Sequence, residues 1–176
     1  MSSTTTSPKP LPNPRLVRNG YDADGLSVFT HDAALPTYTP FGPQGSAFAI
    51  FDRRDAVPAN NLDPIPSFGE ALPRCAPGGV LFCITDIKPQ ARVPMHRTLS
   101  LDYFCVLAGE VVLVLDSGEE KTLRAGDFVV QQGANHSWFN ASEEVCRILC
   151  SVVGAEKVQL ADGRVFEETA FKGLPK

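Results

Sequence analysis

Two histidines and one carboxylate are the residues in this sequence best suited to chemistry. His96 and His136 stand at the two ends of a stretch rich in β-branched and apolar residues, and Asp102 follows shortly after His96. Two imidazoles and a carboxylate can act as general acid and base, or can bind a metal ion as a two-histidine, one-carboxylate triad. Positions 96 and 102 have the same parity, so both side chains would face one side of an uninterrupted strand. We therefore predict that the three side chains share a site.

The elements that would position these residues are short strands with glycine at their corners. Corner glycines occur at Gly109, Gly118 and Gly126, and no segment shows a helical period over more than a turn or two. The predicted strands cover residues 26–30, 46–52, 80–87, 111–115, 121–123, 127–131, 137–140 and 145–153. Many short strands and almost no helix predict an all-β fold, either a β-barrel or a jelly roll.

The domain organisation follows from composition along the chain. Residues 1–14 are rich in Ser, Thr and Pro, which predicts a disordered tail, and residues 15–176 form one domain. Within that domain, residues 15–79 supply strands and a proline-rich extended arm, residues 80–153 the conserved barrel, and residues 155–168 a hairpin with a type I′ turn at Asp162–Gly163. An arm of this kind often wraps the outside of its own barrel or that of a neighbouring subunit, so a dimer built by strand exchange is one expectation, and we predict a homodimer.

Composition limits the classes of partner. The chain has 176 residues, 43% of them hydrophobic, and a net charge of −4, with neither a basic stripe nor a long apolar run. These features predict a small-molecule substrate and no nucleic-acid or membrane partner. The amino terminus lacks the apolar core of a signal peptide, which predicts a cytoplasmic protein. The five cysteines show no CxxC spacing and are predicted to be free, buried thiols.

Two spaced patterns resemble the motifs of the cupin superfamily. The first pattern comprises His96, Thr98, Asp102 and Gly109, and the second comprises Gly126, Gln131, Gly133, His136 and Asn140. Residues 19–29 and the Arg-Thr-x-Ser-x-Asp-Tyr signature at 97–103 are similar to a subgroup of small microbial cupins mostly without an assigned function. The resemblance implies a cupin-type double-stranded β-helix, that is, a jelly-roll barrel with an extended proline-rich amino-terminal arm.

Three positions depart from the family pattern. Thr98 replaces the second histidine of the first motif, the shorter Asp102 replaces its glutamate, and Gln131 replaces the proline of the second motif. A full cupin site offers three histidines and one carboxylate to Fe, Mn, Ni or Zn. The resemblance therefore implies one divalent metal ion held by His96, Asp102 and His136, and a metal-free acid/base site is the alternative.

The candidate site extends to neighbouring side chains. We assign catalytic roles to His96, His136 and Asp102, with Tyr103 as an oxyanion donor if it faces inward, although strand alternation directs it away from Asp102. The predicted lining of the substrate pocket consists of Thr98, Phe104, Phe82, Trp138 and Gln131.

The predicted function is a small-molecule enzyme that uses a barrel cavity for proton transfer. Its reaction would be a dehydration, isomerisation, cyclisation or decarboxylation of a carbonyl-bearing, partly apolar metabolite, by analogy with single-domain cupins implicated in polyketide cyclisation. Two alternatives are an iron-dependent dioxygenase and a non-catalytic ligand-binding barrel. The sequence contains no P-loop, dinucleotide-binding glycine fingerprint, GxSxG elbow or HExxH motif.

Overall fold

The structure, a computed structural model, describes residues 9–64 and 66–169, and these contain thirteen strands and no helix. The strands are β1 (Arg15–Tyr21), β2 (Ser27–Ala34), β3 (Ala47–Arg54), β4 (Val80–Ile87), β5 (Arg92–His96), β6 (Ser100–Ala108), β7 (Glu110–Leu115), β8 (Glu120–Arg124), β9 (Phe128–Gln132), β10 (His136–Phe139), β11 (Cys146–Gly154), β12 (Val158–Gln159) and β13 (Val165–Phe166). The all-β prediction is confirmed.

Two antiparallel sheets form the body of the molecule. The first has five strands in the order β3-β4-β11-β6-β9, and the second has four in the order β5-β10-β7-β8. Strands distant in sequence are neighbours in both sheets, as in a jelly roll, and the fold is a double-stranded β-helix. Two further hairpins, β1-β2 and β12-β13, form separate two-stranded sheets.

The core lies between the two large sheets and follows strand alternation. Leu81 and Cys83 of β4 and Val106 of β6 belong to one buried cluster, together with Val111 of β7 and Trp138 of β10. The first three come from the five-stranded sheet and the last two from the four-stranded sheet, so the inward faces of both sheets bury one another. This packing determines which alternate side chains along each strand point into the core.

Glycine is required at two of the corners. Gly109, between β6 and β7, has a φ of 72°, and a Cβ there would lie 2.7 Å from the carbonyl oxygen of Val145. In the carboxyl-terminal hairpin, Gly163 has a φ of 85° while Asp162 does not have a positive φ. The predicted type I′ turn is therefore wrong, because that turn needs positive φ at both central residues.

The amino-terminal segment is held to the body of the protein. Arg147 of β11 makes two 2.7 Å hydrogen bonds to the buried carboxylate of Asp86 on β4, and it also donates to the carbonyl oxygen of Pro12 at 2.8 Å. The carbonyl oxygen of Pro14 accepts a hydrogen bond from the backbone of Leu35. The disordered tail predicted for residues 1–14 thus extends too far, since Pro12 and Pro14 have defined partners, and residues 1–8 lie outside the described part of the chain.

The structure also bears on the predicted state of the cysteines and on the distribution of apolar side chains. All five cysteines are free, as predicted. No helix among the described residues has the length and apolarity that a membrane span requires. Apolar side chains remain exposed on the β1-β2 hairpin and on β9, including Phe29 and Phe128, each 79% exposed. The homodimer stays a prediction.

Candidate functional site

His96 and His136 meet inside the barrel because their strands are paired. His96 ends β5, His136 begins β10, and the two residues are directly opposite in the antiparallel ladder. Their ring centroids are 4.2 Å apart, and both residues are buried. Pairing between β5 and β10 thus joins two histidines that are far apart in sequence, as the spacing predicted.

Backbone carbonyls select the tautomer of both rings. The Nδ1 atom of His96 lies 2.8 Å from the carbonyl oxygen of Pro94, and the Nδ1 atom of His136 lies 3.0 Å from the carbonyl oxygen of Ala134. A carbonyl oxygen can only accept, so each Nδ1 carries the proton and Nε2 is the basic nitrogen of each neutral ring. The two Nε2 atoms are therefore the groups that can take up a proton or bind a cation.

Asp102 and His136 are joined through Gln131. Asp102 on β6 is opposite Gln131 on β9, and the Nε2 atom of Gln131 lies 3.1 Å from Asp102 Oδ2 and 3.3 Å from His136 Nε2. All three side chains are at least 96% buried. The Oε1 atom of Gln131 is also buried and has no hydrogen-bond partner among the described residues. The amide group thus separates the carboxylate from the imidazole.

The buried environment shifts the pKa values of the site residues toward their uncharged forms. Burial lowers the pKa of His136 to about 4, and the neighbouring ring of His96 contributes to this lowering. Burial also lowers the pKa of His96, with a further contribution from the charge of Arg74, against the hydrogen bond to Pro94. Burial raises the pKa of Asp102, which its polar neighbours only partly offset. Both rings are therefore neutral near pH 7, and Asp102 holds a proton more readily than an exposed aspartate.

Two predicted pocket residues lie beside the histidines. Trp138, 6% exposed, is on the inward face of β10, and its ring centroid is 5.8 Å from that of His136. Phe104 on β6 contacts Trp138 edge-on at a centroid distance of 5.4 Å. These rings give the polar cluster an apolar wall.

Two predicted site residues lie outside the barrel interior. Tyr103 is 46% exposed on the face of β6 opposite Asp102, so its assignment as an oxyanion donor is wrong. Phe82 is 40% exposed and contacts Phe51, because it alternates with the inward-facing Leu81 and Cys83. Its assignment to the pocket is also wrong, and in both cases strand alternation is the reason.

Ser100 is a site residue that sequence analysis missed. It is 4% exposed, and its hydroxyl group donates to Thr98 Oγ1 at 2.9 Å. The Ser100 hydroxyl group acts to lower the pKa of Asp102, against the larger effect of burial, while Oδ1 of Asp102 has no hydrogen-bond partner among the described residues. The parity that Ser100 shares with Asp102 was the available signal. Arg74, whose charge acts on His96, lies in the proline-rich arm, and no sequence pattern indicated it.

A cleft of about 190 Å³ lies beside the polar cluster rather than over the histidines. Its lining is mainly apolar and consists of Thr98, Leu99, Ser100, Leu101, Gln132, Gly133, Ala155, Glu156 and Val158. Thr98, predicted for the pocket, lines this cleft, and Gln131 does not. Thr98 and Ser100 are thus the residues that connect the cleft with the surroundings of Asp102.

The predicted metal triad does not fit this arrangement. Among the described residues, no group of three or more His, Cys, Asp or Glu side chains lies close enough to hold a metal ion. The reason is visible at Gln131, whose amide nitrogen lies between Asp102 and His136.

The two facing sheets and the polar site between them define a barrel of the double-stranded β-helix class. A family model described as "Cupin domain" matches residues 83–152, which include both histidines, Asp102 and Gln131. The chain belongs to the cupin family.

The relatives of the chain include proteins named for biosynthesis clusters and proteins named cupin-domain-containing oxidoreductases. It is 35% identical over 180 residues to the phomopsin biosynthesis cluster protein C′ of Diaporthe leptostromiformis, covering 98% of this chain and 94% of that protein. It is 32% identical over 139 residues to the cupin-domain-containing oxidoreductase fogC of Aspergillus ruber, and this alignment covers 73% of this chain and 66% of that protein. The Cnp3 cupin domain of Schizosaccharomyces pombe, with a TM-score of 0.52 and 10% identity, covers 80% of this chain and 87% of that chain, and shows the fold alone.

Proposed function

We propose that the protein is an enzyme of secondary metabolism that transfers protons on a carbonyl-bearing, partly apolar small molecule. The observation that carries this proposal is the buried pair of His96 and His136, with ring centroids 4.2 Å apart and both Nδ1 atoms bonded to backbone carbonyls. Two neutral rings with a defined basic nitrogen are suited to removing a proton from one atom and returning it to another.

The individual residues have distinct roles in this proposal. His96 removes a proton from the carbon next to the carbonyl group, because its pKa is lowered and the neutral ring is the form that accepts a proton. Asp102, whose raised pKa favours the protonated carboxyl group, supplies a proton to the developing enolate or to a departing hydroxyl group. In a dehydration, the departing hydroxyl group leaves as water with the proton of Asp102, and the proton on His96 then restores Asp102. In an isomerisation, His96 returns its proton to a different carbon while Asp102 takes back the proton of the enol oxygen.

The surroundings support a substrate with one polar and one apolar part. Gln131 Oε1 is a buried acceptor without a partner among the described residues, and it would accept a hydrogen bond from a substrate hydroxyl or enol group. Trp138 and Phe104, which meet edge-on, provide apolar ring surface beside His136. The names of the biosynthesis-cluster relatives support secondary metabolism as the setting.

The second candidate is an oxidoreductase, which is favoured by the names of relatives such as the cupin-domain-containing oxidoreductase of Aspergillus ruber. Such a reaction would consume an oxidant, whereas proton transfer would not. For a dioxygenase the oxidant is molecular oxygen, so oxygen uptake separates this candidate from proton transfer, and a non-catalytic ligand-binding barrel would show neither oxygen uptake nor turnover.

The test is incubation of the purified protein in D₂O with a metabolite extract of the organism that carries the gene, followed by mass spectrometry. We expect a metabolite to gain deuterium at a carbon next to a carbonyl group, or to lose water, without oxygen uptake. His96→Ala should abolish the change, and His31→Ala, which removes the histidine on β2, is the matched control. Binding of a metabolite without any conversion would overturn the proposal in favour of a ligand-binding protein.

A further inference from the structure

We propose that the amide group of Gln131 occupies, as a hydrogen-bond donor, the position between Asp102 and His136 that a bound cation would need, so that the site works without a metal ion. This inference concerns the construction of the site and does not depend on which reaction it performs.

The first step of the argument is the chemistry of the two groups that Gln131 contacts. His136 Nε2 is an acceptor, because its Nδ1 proton is given to the carbonyl oxygen of Ala134 at 3.0 Å. Asp102 Oδ2 is an acceptor both in the ionised carboxylate and in a carboxyl group that carries its proton on Oδ1. An atom that lies 3.1 Å from one acceptor and 3.3 Å from the other must bring hydrogen atoms or positive charge.

The second step is that a primary amide nitrogen meets this demand. It carries two hydrogen atoms directed about 120° apart, and it can therefore donate to the carboxylate and the imidazole at once. Rotating the amide by half a turn would place Oε1 against two other acceptors. Unless Asp102 carries a proton on Oδ2, that orientation would be favourable only with a cation among the three groups. The observed network, in which the amide nitrogen faces both acceptors, corresponds to a neutral donor.

The third step is that Gln131 is firmly placed. It is 4% exposed, and its position on β9 is fixed opposite Asp102 by the ladder between β6 and β9. A metal ion could reach both Asp102 and His136 only by displacing this side chain. The neighbouring Gln132 is exposed on the other face of β9, so the chain supplies its own control position.

The experiment compares wild type with Gln131→Glu and with the matched control Gln132→Glu. The first substitution removes both N–H donors and puts a second carboxylate beside Asp102, where the two must share a proton or a cation. Untagged, metal-free proteins are titrated with Zn²⁺ and with Ni²⁺ by calorimetry. We expect Gln131→Glu to bind about 100-fold more tightly than wild type, and Gln132→Glu to bind as wild type does.

A second variant tests the hydrogen bond itself. Gln131→Leu retains much of the side-chain volume but cannot donate, so the ¹⁵N chemical shift of His136 Nε2 should move toward that of a nitrogen without a donated hydrogen bond. If Gln131→Glu folds only when Zn²⁺ is added, circular dichroism would record the metal dependence, which also supports the proposal.

Three results would overturn it. The first is near-stoichiometric metal in wild type that is lost in His136→Ala. The second is a Gln131→Glu protein that binds Zn²⁺ and Ni²⁺ no more tightly than the Gln132→Glu control. The third is an unchanged His136 signal in Gln131→Leu. No substrate enters these measurements, so their failure and the failure of the proposed function can be told apart.

Discussion

Acidification should weaken the fold through His136. Its ring is 2% exposed, and burial lowers its pKa from the ordinary 6.5 to about 4. As the pH falls below about 6.5, the unfolded chain takes up a proton on this ring while the folded protein resists until about 4. The unfolded state therefore binds more protons in this window, and folding stability is lost as the pH falls through it. Above the window the contribution is constant.

The size of the effect follows from the same two values. The gap between 6.5 and about 4 corresponds to a loss of roughly 3 kcal/mol when the whole window has been crossed. His96, whose pKa is also lowered, adds to the loss, whereas Asp102, whose pKa is raised, opposes it at the acid end. Comparison with a variant that lacks only His136 separates its share from these neighbours.

The assay is urea unfolding from about pH 7.5 to about pH 4.5. Trp138 is the single tryptophan and contacts His136, so its fluorescence reports on unfolding at the site. His136→Asn should be less stable than wild type at neutral pH but should lose about 2 kcal/mol less on acidification. His31→Asn is the control for a histidine outside the barrel interior. Equal losses in wild type and His136→Asn would refute the reasoning.

Three further outcomes are expected. Asn140→Ala should cost about 3 kcal/mol in urea unfolding, because the fully buried side chain makes four hydrogen bonds that tie the β10-β11 loop to the end of β4; a loss below about 1 kcal/mol would contradict this. Arg147→Met should cost about 3–5 kcal/mol in the same assay, because it leaves the Asp86 carboxylate buried and unpaired; a neutral effect would refute it. Phe82→Ser should leave turnover of the metabolite identified in D₂O unchanged, whereas Trp138→Leu should raise KM. Equal effects of the two substitutions would contradict the outward direction of Phe82 and the inward direction of Trp138.

The positions of His96 and His136 show how much of the site the spacing of residues in the sequence could predict. Both were expected at one site, and the ladder between β5 and β10 places them directly opposite each other. The parity argument for Asp102 reached the right face although its premise fails, because β5 ends at His96 and β6 begins at Ser100. Asp102 faces inward because of its place in β6, where Phe104 and Val106 point into the core.

Alternation also explains the two misplaced aromatic residues. Within one strand the direction of a side chain is fixed relative to its neighbours, so the outward direction of Tyr103 followed from Asp102. No comparable reference existed for Phe82, since β4 is apolar on both faces and its outer face, at Ile84, also belongs to a buried cluster, which packs against Leu16 and Leu35. Hydrophobic composition then says that the strand is buried, but not which face is the inner one.

The sequence by itself determined the class of fold, the corner positions and the residue types available for chemistry, because alternation, glycine and apolar runs act over short distances along the chain. Only the tertiary structure decided that Gln131 lies between Asp102 and His136. That contact depends on the register between β6 and β9 and on the packing of β10 across the barrel. Register between strands separated by many residues is set by the packing of the whole core, and no local pattern records it.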